Sequence, residues 1–196
     1  MITSSITKTD HVFGNAVAKI ILVIYEDYEC ENCGQSFKEL KKFREYFKEE
    51  ICIIYRHFPF MKMHPSALSA ALVAEACSIQ NKFLQAHDLM FECQEFLEYG
   101  VGGLFHLLEN NYAVSIEQLK EDLKKENLQS KINKDIESGN KCGIKQTPAI
   151  FINGCHYEGN INFNQLSAAI YKMNPKMLMN VKYKAGKQLN QVLSVA

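Results

Sequence analysis

The sequence predicts an α/β fold in which a mixed central sheet is interrupted by a block of helices. Three observations predict it. Residues 19–25, KIILVIY, are a β-branched run read as a buried strand, and residues 51–56, ICIIYR, are a second one. Between them, residues 31–49 carry Phe37, Leu40, Phe43 and Phe47 at helical spacing with charges in between. Strand, helix and strand in so short a span make a βαβ unit, which calls for parallel strands and a right-handed crossover.

The helical block is read over residues 65–140. Pro65 suits a first helical position. Residues 67–77 are rich in Ala and Leu, and Phe83, His87, Met90 and Phe91 give the next apolar stripe. Gly100, Gly102 and Gly103 break the pattern before a helix over residues 103–111. Ser115 and Gln118 have the spacing of a capping box, which starts a helix continued by Leu119, Leu123 and Leu128. Residues 129–139 stay helical, with Gly139 as the terminator. The pattern then changes. Thr147-Pro148 leads into a short apolar strand at 149–152, Asn153-Gly154 signals a tight hairpin, and residues 155–157 return antiparallel. Residues 164–173 close the fold as a helix with Leu166, Ala169 and Ile170 on one side.

Composition excludes several functions. The chain has 196 residues, and a chain of this size buries roughly 70% of its unfolded surface, so it needs neither disulfide nor metal to hold a core. Lys+Arg and Asp+Glu both number 22, and this balance argues against a nucleic-acid binder and against attachment to an anionic membrane. The basic stretch from Lys172 through Lys176, Lys182 and Lys184 to Lys187 reads as a solvated helix face. Residues 1–10, MITSSITKTD, lack the apolar core of an export signal. The longest apolar stretch, residues 20–25, falls far short of the ~20 residues of a membrane helix. Seven cysteines are an odd number without small-scaffold spacing, as suits a reducing compartment. The expectation is a cytoplasmic protein with no membrane or nucleic-acid partner.

Chemistry concentrates at Cys30-Glu31-Asn32-Cys33. A zinc site needs four ligands, and the chain has no second CxxC and no HxxxH, so no metal and no cofactor are expected. Position favours a redox pair. Cys30 falls at the first turn of a helix, where unpaired N–H groups and the dipole favour a thiolate, the attacking species. Cys33, one turn further in, would act second by resolving a mixed disulfide.

The segment from Tyr25 to Cys33, YEDYECENC, resembles the active-site segment of the DsbA-like thiol–disulfide oxidoreductases. So do Tyr55-Arg-His-Phe-Pro59, His64-Pro-Ser-Ala67, Lys82-Phe83 and His87-Asp-Leu-Met-Phe91, and then Gly143-Ile-Lys-Gln-Thr-Pro148 and Phe151-Ile-Asn-Gly154. The resemblance covers residues 10–173. It implies a thioredoxin-like fold formed by residues 10–62 and 141–173, with 63–140 as a helical insertion and 174–196 as a C-terminal extension. It also implies a cis Thr147–Pro148 bond beside the CxxC, with Thr147 and Pro148 binding an extended substrate segment. Two departures stand out. The family carries a buried Glu six residues before the first cysteine, where this chain has Ile24; Glu26 is nearby, at a position that could face solvent. Between the cysteines stands Glu31-Asn32 in place of a histidine, and Glu29 and Glu31 beside Cys30 would raise its pKa and make the couple more reducing than in the strongest oxidants. Glu26, Glu29, Glu31 and Asn32 are thus the expected modulators of the site.

Other candidates carry less. Cys142, six residues before Pro148, could be a third redox thiol. Cys52, Cys77 and Cys93 read as core and Cys155 as structural; His57 and His64 read as packing or capping groups. The expected activity is dithiol–disulfide exchange with protein or peptide substrates, in the reductase or isomerase direction, with glutathione or a thioredoxin-type protein as redox partner. Two alternatives are a glutathione-using transferase or isomerase, for which one thiol would suffice, and a thioredoxin-fold binding module without catalysis.

Overall fold

A computed structural model describes residues 6–112 and 114–177. Five strands form one mixed sheet: β1 (His11–Gly14), β2 (Ile21–Glu26), β3 (Cys52–His57), β4 (Ala149–Ile152) and β5 (Cys155–His156), in the order β1-β3-β2-β4-β5. The helix α1 (Glu31–Phe47) crosses from β2 to β3, which pair in parallel as expected for a βαβ unit. β1 lies antiparallel on β3, and β4 antiparallel on β2. β1 is an element that the sequence pattern did not reveal, because its four residues HVFG show no apolar alternation.

Between β3 and β4 run α2 (Ala67–Ile79), α3 (Phe83–Glu92), the 3-10 helix Gln94–Tyr99, α4 (Gly100–Tyr112), α5 (Ile116–Asp122) and α6 (Glu126–Lys141). Helix α7 (Phe163–Met173) closes the fold. Several boundaries differ from expectation. Pro65 stands outside α2, which begins after Ser66. Gly102 and Gly103 do not break α4 but lie within it. Ser115 does cap α5 by accepting the Gln118 N–H at 3.2 Å, yet the Gln118 side chain turns instead to Asp122. Gly139 does not end α6. It admits the Phe58 ring, which a Cβ there would meet at 2.5 Å, and Gly143, with φ of +72°, makes the turn after the helix. Asn153 and Gly154 both have positive φ, as a two-residue hairpin demands. Of the extension at 174–196, residues 178–196 lie outside the described residues.

Strand alternation sorts the interior into two faces. Leu22 and Ile24 of β2 lie in the larger core with Phe37 and Leu40 of α1, Ala70 and Val73 of α2, and Leu166 and Ile170 of α7. Val23 and Tyr25 point the other way, toward Phe58, Ile144, Phe151 and Ile136 of α6. The helical block shares the larger core with the sheet. An ion pair is buried there too: Arg44 of α1 donates to Asp88 of α3 at 2.8 and 2.5 Å and to the Tyr55 hydroxyl at 3.3 Å. Burial opposes the charge on Asp88, but His87 and Arg44 outweigh it and hold the carboxyl far below the usual range.

Arg44→Met would leave the Asp88 carboxylate with only His87 and the partly exposed Lys41, 3.5 Å away, in place of its buried cation, a change that costs about 3 kcal/mol. The intact pair stabilises the fold above the unfolded carboxyl pKa of ~3.9 and is lost as pH falls through the depressed folded value. Denaturant titrations should therefore show the variant's deficit fully at pH 7 and shrinking in acid, where Asp88 of the variant takes up a proton.

Candidate active site

The chain leaves β2 at Glu26 and enters α1 at Glu31, so four residues make the whole transition. Asp27 organises it. Its buried carboxylate accepts the Glu29 N–H at 2.9 Å, the Phe60 N–H at 2.8 Å and His64 Nδ1 at 2.7 Å. The Asp27 carbonyl accepts the Cys30 N–H at 3.1 Å. Cys30 then sits as the N-cap of α1 with extended backbone (φ −73°, ψ 119°), as the sequence placed it.

The two thiols differ sharply. Cys30 is 8% exposed and Cys33 is sealed at 0%. The Cys30 thiol is held down at about 5, first by a hydrogen bond from Cys33. Burial works against this, while the Thr147 hydroxyl and the backbone N–H groups of Cys33 and Asn32 add to it. Those amides are the unpaired donors of the helix start. Cys33 is pushed well up by burial, then by its bond to Cys30 and by the charge of Glu26.

The four expected modulators act otherwise than by simple proximity. Glu29 turns away from Cys30 and accepts the Ser66 N–H at 2.7 Å, at the start of α2. Glu31 takes a hydrogen bond from Gln35 one turn on. The Cys30 pKa falls as its place at the helix start predicts, and the acids, whose side chains are taken up by the Ser66 amide and by Gln35, do not overturn this. Asn32 contributes through its backbone amide. Glu26 does not face solvent. It is 6% exposed and has the same strand parity as Leu22 and Ile24, so its carboxylate enters the core behind Cys33. Oε2 lies 2.9 Å from His87 Nε2, while Oε1 has no partner among the described residues.

Thr147 and Pro148 do stand beside the dithiol. Their peptide bond is cis, and the Thr147 carbonyl accepts the Cys30 thiol at 3.3 Å. The buried Thr147 hydroxyl has no partner at hydrogen-bond geometry among the described residues. A cavity of about 460 Å³ opens beside Pro148, lined also by Cys142, Gln146, Phe151 and His156. His64, opposite, would be lowered by burial, but Asp27 outweighs this and raises its pKa, helped by the charge of Cys30.

The remaining candidates lie apart from the dithiol. Cys142 donates to the Ser138 carbonyl at 2.7 Å at the end of α6, with Tyr25 beside it. Cys52 and Cys77 are buried, Cys93 is half-buried and Cys155 is exposed; all seven cysteines are free thiols. His57 belongs to a separate cluster. Its Nε2 and that of His11 lie 2.9 and 2.8 Å from one oxygen of Glu75, and the three ligand atoms fall within 4.8 Å of one another. They are the described residues best placed to hold a metal, but Lys131 sits 3.5 Å from that same oxygen, where it repels a cation. Two site residues escaped the sequence reading. Asp27 lay inside the motif without an assigned role, and Gln94, whose amide reaches the turn carbonyls, gives no sequence signal at all.

Known proteins share this architecture. Wolbachia pipientis α-DsbA1 superposes with a TM-score of 0.74 at 20% identity, covering 90% of this chain and 96% of that one. BdbD from Bacillus subtilis gives 0.69 at 23% identity over 83% and 91%. A thioredoxin-like oxidoreductase from Silicibacter pomeroyi gives 0.73 at 19% over 86% and 94%. At these identities the likeness shows the thioredoxin-like fold, the one that the motifs implied. Among curated proteins, the Na(+)/H(+) antiporter NhaA 1 of Mycolicibacterium vanbaalenii is 30% identical over 156 residues, 76% of this chain, and that of Salinispora arenicola is 31% identical over 162 residues, 82% of this chain. The chain spans about a quarter of the length of these curated relatives, 24% in both cases. Among the described residues no helix is long and apolar enough to cross a membrane. The Thioredoxin_4 family, described as thioredoxin, matches residues 6–172, and the chain belongs to it.

Proposed function

We propose that this chain catalyses thiol–disulfide exchange on protein or peptide substrates, with Cys30 as the attacking and Cys33 as the resolving thiol. The observation that carries this reading is the asymmetry of the pair. One sulfur at the rim is a thiolate at neutral pH, and a sealed partner thiol donates a hydrogen bond to it. A structural or metal-holding pair needs no such difference.

The Cys30 thiolate attacks one sulfur of a substrate disulfide, and the other leaves as a thiolate that takes a proton from water. Cys33 then loses its proton and attacks Cys30 Sγ, which closes the Cys30–Cys33 disulfide and releases the second substrate thiolate. Two electrons pass from the dithiol to the substrate. Glu26 supports the second step: its unpaired Oε1 accepts the Cys33 proton, and His87 steadies the carboxylate from behind. Because Cys33 resists ionisation, a second substrate thiol can resolve the mixed disulfide first, and this favours isomerisation. The cis Thr147–Pro148 segment and the adjoining cavity would hold the substrate chain. Glutathione or a thioredoxin-type protein would restore the dithiol.

A thiol at about 5 stands between the ~7 of thioredoxin and the ~3.5 of DsbA. The potential should then fall between roughly −270 and −120 mV, so that a cytoplasmic glutathione pool would keep the pair reduced. The free thiols of Cys93, Cys142 and Cys155 support that compartment. Trapping the thiols in acid-quenched cells tests this placement, and a pair found oxidised would overturn it.

The ultraviolet absorbance of the thiolate should titrate with a midpoint near 5 in the reduced protein, and alkylation of Cys30 should be fast and nearly pH-independent above pH 6. Cys33→Ala removes the largest stabilising contact and should move that midpoint upward. A wild-type midpoint at the ordinary thiol value of ~8.5 would sink the proposed activity. Cys33→Ala should also accumulate mixed disulfide with a model substrate; full turnover by this variant would instead favour the one-thiol, glutathione-using alternative. Glu26→Gln should slow closure of the internal disulfide about a hundredfold in stopped-flow experiments while leaving the first attack by Cys30 intact.

A further inference from the structure

Gln94 opens the 3-10 helix that links α3 to α4, far from Cys30 in sequence. Its side-chain amide donates two hydrogen bonds, at 2.6 Å to the Tyr28 carbonyl and at 3.1 Å to the Cys30 carbonyl. These carbonyls flank the last step of the turn that delivers Cys30 to α1. The Cys30 carbonyl also accepts the Gly34 N–H at 3.1 Å, the opening hydrogen bond of that helix.

Gly34 makes room for this amide. A Cβ at position 34 would lie 1.9 Å from Gln94 Oε1 and 2.6 Å from its Cδ. Glycine weakens a helix relative to alanine, and Gly34 has no positive φ to justify one. What position 34 supplies is space.

We propose that Gln94 is a positioning residue of the dithiol site: from the helical block, and seated against Gly34, it fixes the two carbonyls that determine where Cys30 Sγ stands. The proposal rests on the thiol–disulfide reading above. The groups that stabilise the Cys30 thiolate include the N–H groups of Asn32 and Cys33, and their aim at the sulfur depends on this turn. Gln94 touches no reacting atom; it acts through the backbone that carries one.

Gly34 provides a test that leaves Gln94 itself unaltered, since an alanine there expels the flexible end of the glutamine. Gln94→Ala and Gly34→Ala, made in the full chain, should each raise the midpoint of the Cys30 thiolate titration by about one unit. Each should also slow the attack of Cys30 on glutathione disulfide about tenfold. The double variant should be no worse than Gln94→Ala alone, because the emptied socket accepts the new methyl group. Gln94→Glu, which keeps the shape and loses both donors, should follow Gln94→Ala if the smaller residue impairs folding. A wild-type midpoint in the single variants, or strict additivity in the double, overturns the proposal. So does a lowered thermal midpoint with an unmoved thiolate titration, which marks Gln94 as packing only. Failure of the wild-type protein to exchange with glutathione disulfide would count against the enzymatic reading and leave the titration result standing by itself.

Discussion

Burying a carboxylate is costly unless donors fill its lone pairs, and the turn after β2 is built to meet that condition at Asp27. The Glu29 amide, the Phe60 amide and His64 Nδ1 converge on it from two segments of the chain. Everything that makes Cys30 reactive follows from the path this carboxylate imposes. The next residues must bend sharply enough for Cys30 to become the N-cap of α1, and the loop carrying Phe60 and His64 must come close. The acids at 29 and 31 are thereby turned toward helix ends and away from the sulfur. Proximity in sequence suggested electrostatic opposition to the thiolate; the fold converts it into scaffolding.

Other buried charges form networks of their own. On one side of the sheet, Glu26, His87, Asp88 and Arg44 run from behind Cys33 out toward Lys41. Nearer the β1 edge, His11, His57, Glu75, Lys131 and Asp135 form a closed set in which each charge has a partner, and Asp135 also takes the His57 N–H. Arg56 bridges Asp10 and the Tyr25 hydroxyl and so ties the N-terminal segment to the sheet. Such networks add little net stability over apolar packing but penalise any rearrangement that separates the partners. They hold α2, α3 and α6 in register with β3, and so keep the helical block where Gln94 can reach the active-site turn.

Much of this was legible in the sequence. The runs at 19–25 and 51–56 and the stripe from Phe37 to Phe47 were long and periodic enough to place β2, α1 and β3, and hence the cysteines at the junction. Glu26 was legible in principle, because its parity with Leu22 and Ile24 puts it on the inner face; only the habit of sending acids to solvent argued otherwise. The fall of the Cys30 pKa was legible from its place at the helix start; how far Glu29 and Glu31 oppose it was not, since that depends on where their side chains find donors. Gln94 was beyond reach for a different reason. A polar residue in a short 3-10 helix has no periodic neighbour to interpret it, and its partners are backbone carbonyls, which leave no trace in residue identity.

The margins of the sheet have a consequence of their own. β1 contributes four residues and β5 only two, and among the described residues these are the strands left with an unpaired side. If the chain acts on extended protein segments, as proposed above, a long open edge would pair with them and recruit them into aggregates. Here each margin is too brief to template such growth. On the reading proposed above, the chain would offer a thiolate to its substrates while giving them little backbone to pair with.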